Sequence, residues 1–86
     1  MAITRSKGRA HHYVEELQQM VRVRFPEATF RIGPMPDTSE GIAIWTYTNR
    51  EFDEVADLVR DREFRIMMKE SIFIYVIPMP LEALEA

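Results

Sequence analysis

The chain has no cysteine, only three glycines (Gly8, Gly33 and Gly41) and no apolar run longer than Ile72–Met79. Without cysteine there is neither a disulfide framework nor a thiolate zinc site. The glycines never fall into a pattern that would cradle a phosphate. The apolar run is far short of the roughly 20 residues that a membrane helix needs. The start, "MAITRSKGRA", carries basic residues with no apolar segment behind them, unlike a secretory leader. These absences read as a soluble, cytoplasmic chain, and 86 residues leave room for one core.

The net charge of −3 is unevenly spread. Residues 1–36 hold six Lys/Arg against three Glu, and residues 37–86 hold five Lys/Arg against eleven Asp/Glu. Such a split fits head-to-tail self-association or a polyanion site on the basic half, as well as two plainly solvated faces.

Residues 1–9 read as a flexible basic arm, 10–80 as a single domain and 81–86 as a C-terminal tail. From about Ala10 the apolar period is helical, with Tyr13, Val14, Leu17, Met20, Val21 and Phe25 on one stripe. Pro26 ends it, because the residue before a proline is pushed away from helical geometry. "ATFRI" reads as a strand, "GPMPDTSEG" as a loop and "GIAIWTYT" as a second strand. Thr48-Asn49-Arg50-Glu51 has the form of a capping box, which predicts a helix start there. The helix carries Phe52, Val55, Ala56, Val59, Ile66 and Met67 on one stripe and runs to about Lys69, with a bend or break expected at "RDRE". "SIFIYVIP" is the last strand, and Pro78 and Pro80 end its ladder or confine it to an edge.

The order helix–strand–strand–helix–strand predicts an α+β two-layer sandwich, with two helices on one face of a three-stranded mixed sheet. Phe30, Ile32, Ile42, Ile44 and the β-branched side of the last strand would face the helices. The opposite face would carry Trp45, Tyr47, Phe73, Tyr75 and Ile77, since side chains alternate along a strand. No further segment remains to cover those five. A contiguous apolar patch of roughly several hundred square ångströms is rarely left exposed without a use.

Candidate chemistry is sparse. His11 and His12 are adjacent, so they point about 100° apart on a helix, and the chain has no further histidine. No metal site is read from them. Asp53, Asp57 and Asp61 share a helix face among arginines, and read as a solvated ridge rather than a catalytic pair. Ser6, Ser39 and Ser71 have no histidine near them in sequence. An enzyme would need a pocket formed only in an oligomer, for instance between "PMPDTSEG" and a neighbouring chain. "PMP" occurs twice, after the first and the last strand, and reads as coincidence rather than repeat.

Open sheet faces with aromatics also stack single-stranded bases. Trp45, Tyr47 and Tyr75 would be the platforms, with Arg31 on the same face and Arg5, Lys7 and Arg9 of the arm meeting phosphates. The helix–hairpin–helix–strand order resembles, in layout only, the second variety of K-homology domain found in ribosome-assembly factors. That resemblance implies RNA binding, but no Gly-x-x-Gly turn separates two helices after the second strand, and the net charge is negative. The leading expectation is therefore a small non-enzymatic interaction domain without cofactor, binding itself as a homodimer or another protein through its aromatic face. Single-stranded RNA binding is the alternative.

Overall fold

The computed structural model describes residues 2–36 and 40–84, with the backbone alone for residues 2–8. Its elements are α1 (Ala2–Arg24), β1 (Thr29–Pro34), β2 (Ile42–Thr48), α2 (Phe52–Glu70), β3 (Ile74–Pro80) and a 3-10 turn (Leu81–Leu84). The sheet order is β1-β2-β3, with β1 antiparallel and β3 parallel to the central β2. This is the expected α+β sandwich, two helices with a three-stranded mixed sheet.

The helical stripes form the core. Val14, Leu17 and Val21 of α1, with Phe25 just beyond its end, meet Val55, Val59 and Ile66 of α2 over Ile44, Ile74 and Val76. Even-numbered strand residues therefore face the helices and odd-numbered ones face away, as the two-residue period requires. Phe52 departs from its expected place in the core: it is exposed, because it is the first residue of α2 and precedes the turn that packs.

Both helix starts differ from the sequence reading, β1 runs on through Gly33 and Pro34, and β3 spans Ile74–Pro80. The helical backbone starts at Ala2, eight residues before the expected Ala10, so residues 2–9 are helical where an arm was expected. The cap of α2 is Glu51, not Thr48: Glu51 and Glu54 take each other's backbone amides in a capping box one turn later. Thr48 remains the last residue of β2 and is buried. Its hydroxyl donates to Glu27 Oε2 at 3.0 Å and accepts from the Arg50 amide at 3.3 Å.

No break occurs at "RDRE", and α2 runs unbroken to Glu70. The two residues that interrupt its apolar stripe both have partners. The Arg62 guanidinium grips the Glu16 carboxylate of α1 with two nitrogens, Nε to Oε2 and Nη2 to Oε1 at 3.0 Å. That contact holds the Glu16 carboxyl below its ordinary range. Nearby, the Tyr13 hydroxyl donates to Glu70 at 2.7 Å, which lowers the Glu70 carboxyl and raises the phenol. Glu63 accepts the backbone amide of Val76 at 2.6 Å, on β3.

Among the described residues Glu63 is the one carboxyl pushed upward, because burial outweighs the help of the Val76 amide. The folded chain thus holds the Glu63 proton more tightly than the unfolded chain, and stability falls as pH rises between the two pKa values. Its contribution is full below the ordinary carboxylate range and is lost as pH climbs through the raised folded value. Glu63→Gln keeps an acceptor for Val76 and removes the charge. We expect this variant to melt above the wild type at about pH 8 and close to it at about pH 4, on either side of the ordinary Glu value. Thermal unfolding of both proteins at both pH values is the check, and an equal shift at each would show that Glu63 carries no linked proton.

Candidate functional site

The odd-numbered face of the sheet is a grid set by register. Across the three strands its rows are Thr29–Tyr47–Met79, Arg31–Trp45–Ile77 and Gly33–Ala43–Tyr75. Phe73, one residue ahead of β3, stands at the end of this face, where its carbonyl accepts the Ile42 amide at 2.8 Å. Gly41 lies against it with φ of 112°, a conformation open to glycine and strained for other residues. A Cβ at Gly41 would come 3.3 Å from the Phe73 carbonyl oxygen and 3.5 Å from the Phe73 Cβ.

Trp45, Tyr47, Tyr75 and Ile77 thus share one side of the sheet with Phe73 at its rim, and neither α1 nor α2 packs there. They are not equally accessible. Tyr75 and Phe73 are 40% and 36% exposed, and Trp45 and Ile77 are half-buried. Tyr47 is only 7% exposed, so its own chain already covers it. The Arg31 guanidinium lies over the Tyr47 ring, 5.7 Å from its centroid. Met79 is its neighbour in the row, and the turn Leu81–Leu84 packs against β2 and β3 just beyond. Tyr47 therefore falls out of the docking surface that the sequence pattern assigned to it.

The indole of Trp45 is laid over the adjacent strand. A Cβ placed on Gly33 would sit 3.2 Å from its Cζ3 and 3.7 Å from its Cη2. Glycine at position 33 is what lets the ring lie down, and Ala43, between Gly33 and Tyr75, is fully buried. The pattern of alternation revealed which side Trp45 faces. It could not reveal that a small residue on the next strand would receive the ring, since that depends on register.

The basic residues expected beside this face do not gather there. Arg31 does, in the row with Trp45 and Ile77. Arg9 belongs to α1, in the helical layer on the opposite side, and pairs with Glu70 at 3.2 Å. The side chains of Arg5 and Lys7 lie outside the described residues. The helix pair that the K-homology layout requires is also not seen, since α2 is unbroken.

Among the described residues no three His, Asp or Glu side chains gather as metal ligands. His11 and Glu15 form an exposed pair at 3.6 Å. On the acidic ridge, Asp57 pairs with Arg60 at 2.9 Å and Asp61 with Arg65 at 3.0 Å. Residues 37–39 of "PMPDTSEG" lie outside the described residues. No described helix is long and apolar enough to cross a membrane. Comparison with family models, curated proteins and solved structures finds no match to this chain.

Gly33→Val tests the placement of the indole. A branched side chain suits a strand, but it must displace the Trp45 ring. The expected result is a folded protein whose tryptophan emission moves to longer wavelength. Emission identical to that of the wild type would show that the ring does not rest on position 33.

Proposed function

We propose that this chain is a small non-enzymatic interaction domain that self-associates through the odd-numbered sheet face. The observation that carries this reading is the side chains of Tyr75 and Phe73, partly exposed beside half-buried Trp45 and Ile77 on a face that α1 and α2 leave open. The surface is narrower than the sequence pattern implied, because Tyr47 is covered. Its centre is aromatic and uncharged, with Arg31 on the flank, which is the make-up of an interface core rather than of a rim.

The single-stranded RNA reading is supported less well. Stacking platforms are present, but phosphate binding requires cations beside them. Arg9 is on the helical layer and is paired, and Arg31 is spread over Tyr47.

Two substitutions on neighbouring residues of β3 test the proposal. Ile74 is 2% exposed and faces the helices. An aspartate there buries an unpaired carboxylate, costing several kcal/mol on the order of the whole stability of so small a domain, and should prevent folding. Tyr75→Asp should leave the circular dichroism unchanged and lower the solution mass, because the site returns to water on dissociation. A wild type that is monomeric at tens of micromolar, or a Tyr75→Asp variant of unchanged mass, would remove the proposal. No binding to single-stranded RNA is expected at physiological salt, and a salt-sensitive micromolar complex would reverse the ranking.

A further inference from the structure

The two edges of the sheet differ in what their backbones offer. Ile42 donates its amide toward β3, to Phe73 O. In a parallel ladder the odd residues of β3 then bond to β2, and the even residues Ile74, Val76, Pro78 and Pro80 direct their backbone outward. The Val76 amide confirms this, since Glu63 takes it from outside the sheet. Pro78 and Pro80 have no amide to donate. The β3 edge is therefore closed along most of its length, by one carboxylate and two prolines.

On β1, Met35 directs its amide to Gly41 O at 3.3 Å, so the odd positions again bond to β2 and the even ones point outward. Pro34 and Pro36, the first "PMP", continue the even series and lack amides. Phe30 and Ile32 are different. Among the described residues none takes their outward amides, and Ile32 is 52% exposed beside an apolar groove of about 410 Å³ that it lines with Ala10, His11, Val14 and Pro34. If this chain pairs with itself by an edge, β3 is closed, and β1 is what a second copy can offer in return. The pairing is then two-fold and antiparallel.

Two registers give both outward amides an acceptor within Thr29–Pro34, those centred on Arg31 and on Ile32, and charge separates them. Centring the axis on Arg31 sets that cation directly against its copy, which is unfavourable. Centring it on Phe30 or on Gly33 sends one outward amide to Ala28 or Pro36, outside β1, and the Phe30 register also brings together the two Arg22 side chains, each lying 5.0 Å from the centroid of its own Phe30 ring. Centring it on Ile32 joins two exposed isoleucines and places Arg31 opposite Gly33 of the second copy. Phe30 then donates to the Pro34 carbonyl of the second copy, and Pro34, without an amide, returns no bond.

We propose that β1 pairs antiparallel with β1 of a second copy about a two-fold axis at Ile32, joining two sheets into one of six strands. This edge is independent of the aromatic face proposed above, and the two fail separately. The test is amide hydrogen exchange of the full chain as a function of concentration. Such a short edge buries less than a standard interface, so association is expected between about 10 μM and 1 mM. Over that range the Phe30 and Ile32 amides should slow by about fourfold or more, as the free monomer fraction falls, and the Val76 amide should be protected throughout. The same slowing should persist in Tyr75→Asp, which reports on the other face. Ile32→Pro removes an outward amide that bonds nothing within the subunit, and should lower the mass at about 1 mM while the circular dichroism is kept. Phe30 and Ile32 amides that exchange at free-chain rates at about 1 mM overturn the pairing, as does an Ile32→Pro variant that folds with unchanged mass. If that variant does not fold, the exchange of the wild type decides.

Discussion

The structure depends on the two-residue period of β2, the central strand. In a pleated chain, parity fixes which face a side chain takes, and in a ladder it also fixes which neighbour a backbone amide meets. In β2 the even residues Ile42, Ile44 and Thr46 face the helices and bond toward β3, while Ala43, Trp45 and Tyr47 face away and bond toward β1. The partner strands inherit the same parity through register. On β1 and β3, then, an even residue both faces the helices and turns its backbone to the outside. Shifting the β2–β3 register by one residue would turn Ile74 and Val76 to solvent and Tyr75 into the core.

Parity gives the prolines their place. Pro34, Pro78 and Pro80 all occupy even positions, where the missing amide would have pointed out of the sheet and not into the ladder. The second "PMP" therefore continues β3 to its pairing with Thr48 without breaking it. Polar residues do the corresponding work between layers. Arg62 and Glu63 sit next to each other on α2, yet one ties the helix to α1 and the other holds an edge amide of β3. The Arg62–Glu16 contact joins two charged groups, a kind of hydrogen bond stronger than neutral ones, while Glu63 serves as a partly buried acceptor. Their removal would affect the assembly of the layers more than the helix itself.

Much of this was legible from side-chain pattern. The fold class, both core stripes and the division of β3 into a β-branched side and an aromatic side follow from periodicity alone, and the pattern of burial agrees for Val14, Leu17, Val21, Val55, Val59 and Ile66. What pattern misses is anything decided by a partner far away in the chain. "RDRE" looked like a break because Arg62 has no local reason to lie in an apolar stripe, and its reason is Glu16 on another helix. Thr48 looked like a cap because its spacing to Glu51 is right, but its hydroxyl is drawn to Glu27 while β2 continues through it. Tyr47 looked exposed because alternation says nothing of Arg31, which register places in the next row of the same face. Where a basic arm was expected, residues 2–9 are helical, and the single glycine there, Gly8, costs about 1 kcal/mol, which does not stop a helix.

The aromatic face and the β1 edge pose different physical problems for a chain of this size. An apolar face is costly only in proportion to the area it shows, and this one has already been reduced by laying Trp45 over Gly33 and Arg31 over Tyr47. A free edge is costly in another way, since it is a template for any extended segment. The chain closes one edge with a carboxylate and two prolines and leaves Phe30 and Ile32 open on the other, with prolines immediately beyond them. Closing β3 means that a copy cannot add there, so growth by edge pairing alone stops at one pairing. An open edge bounded in this way has the form of a limited contact, and its bound is written in the same two-residue period that builds the core.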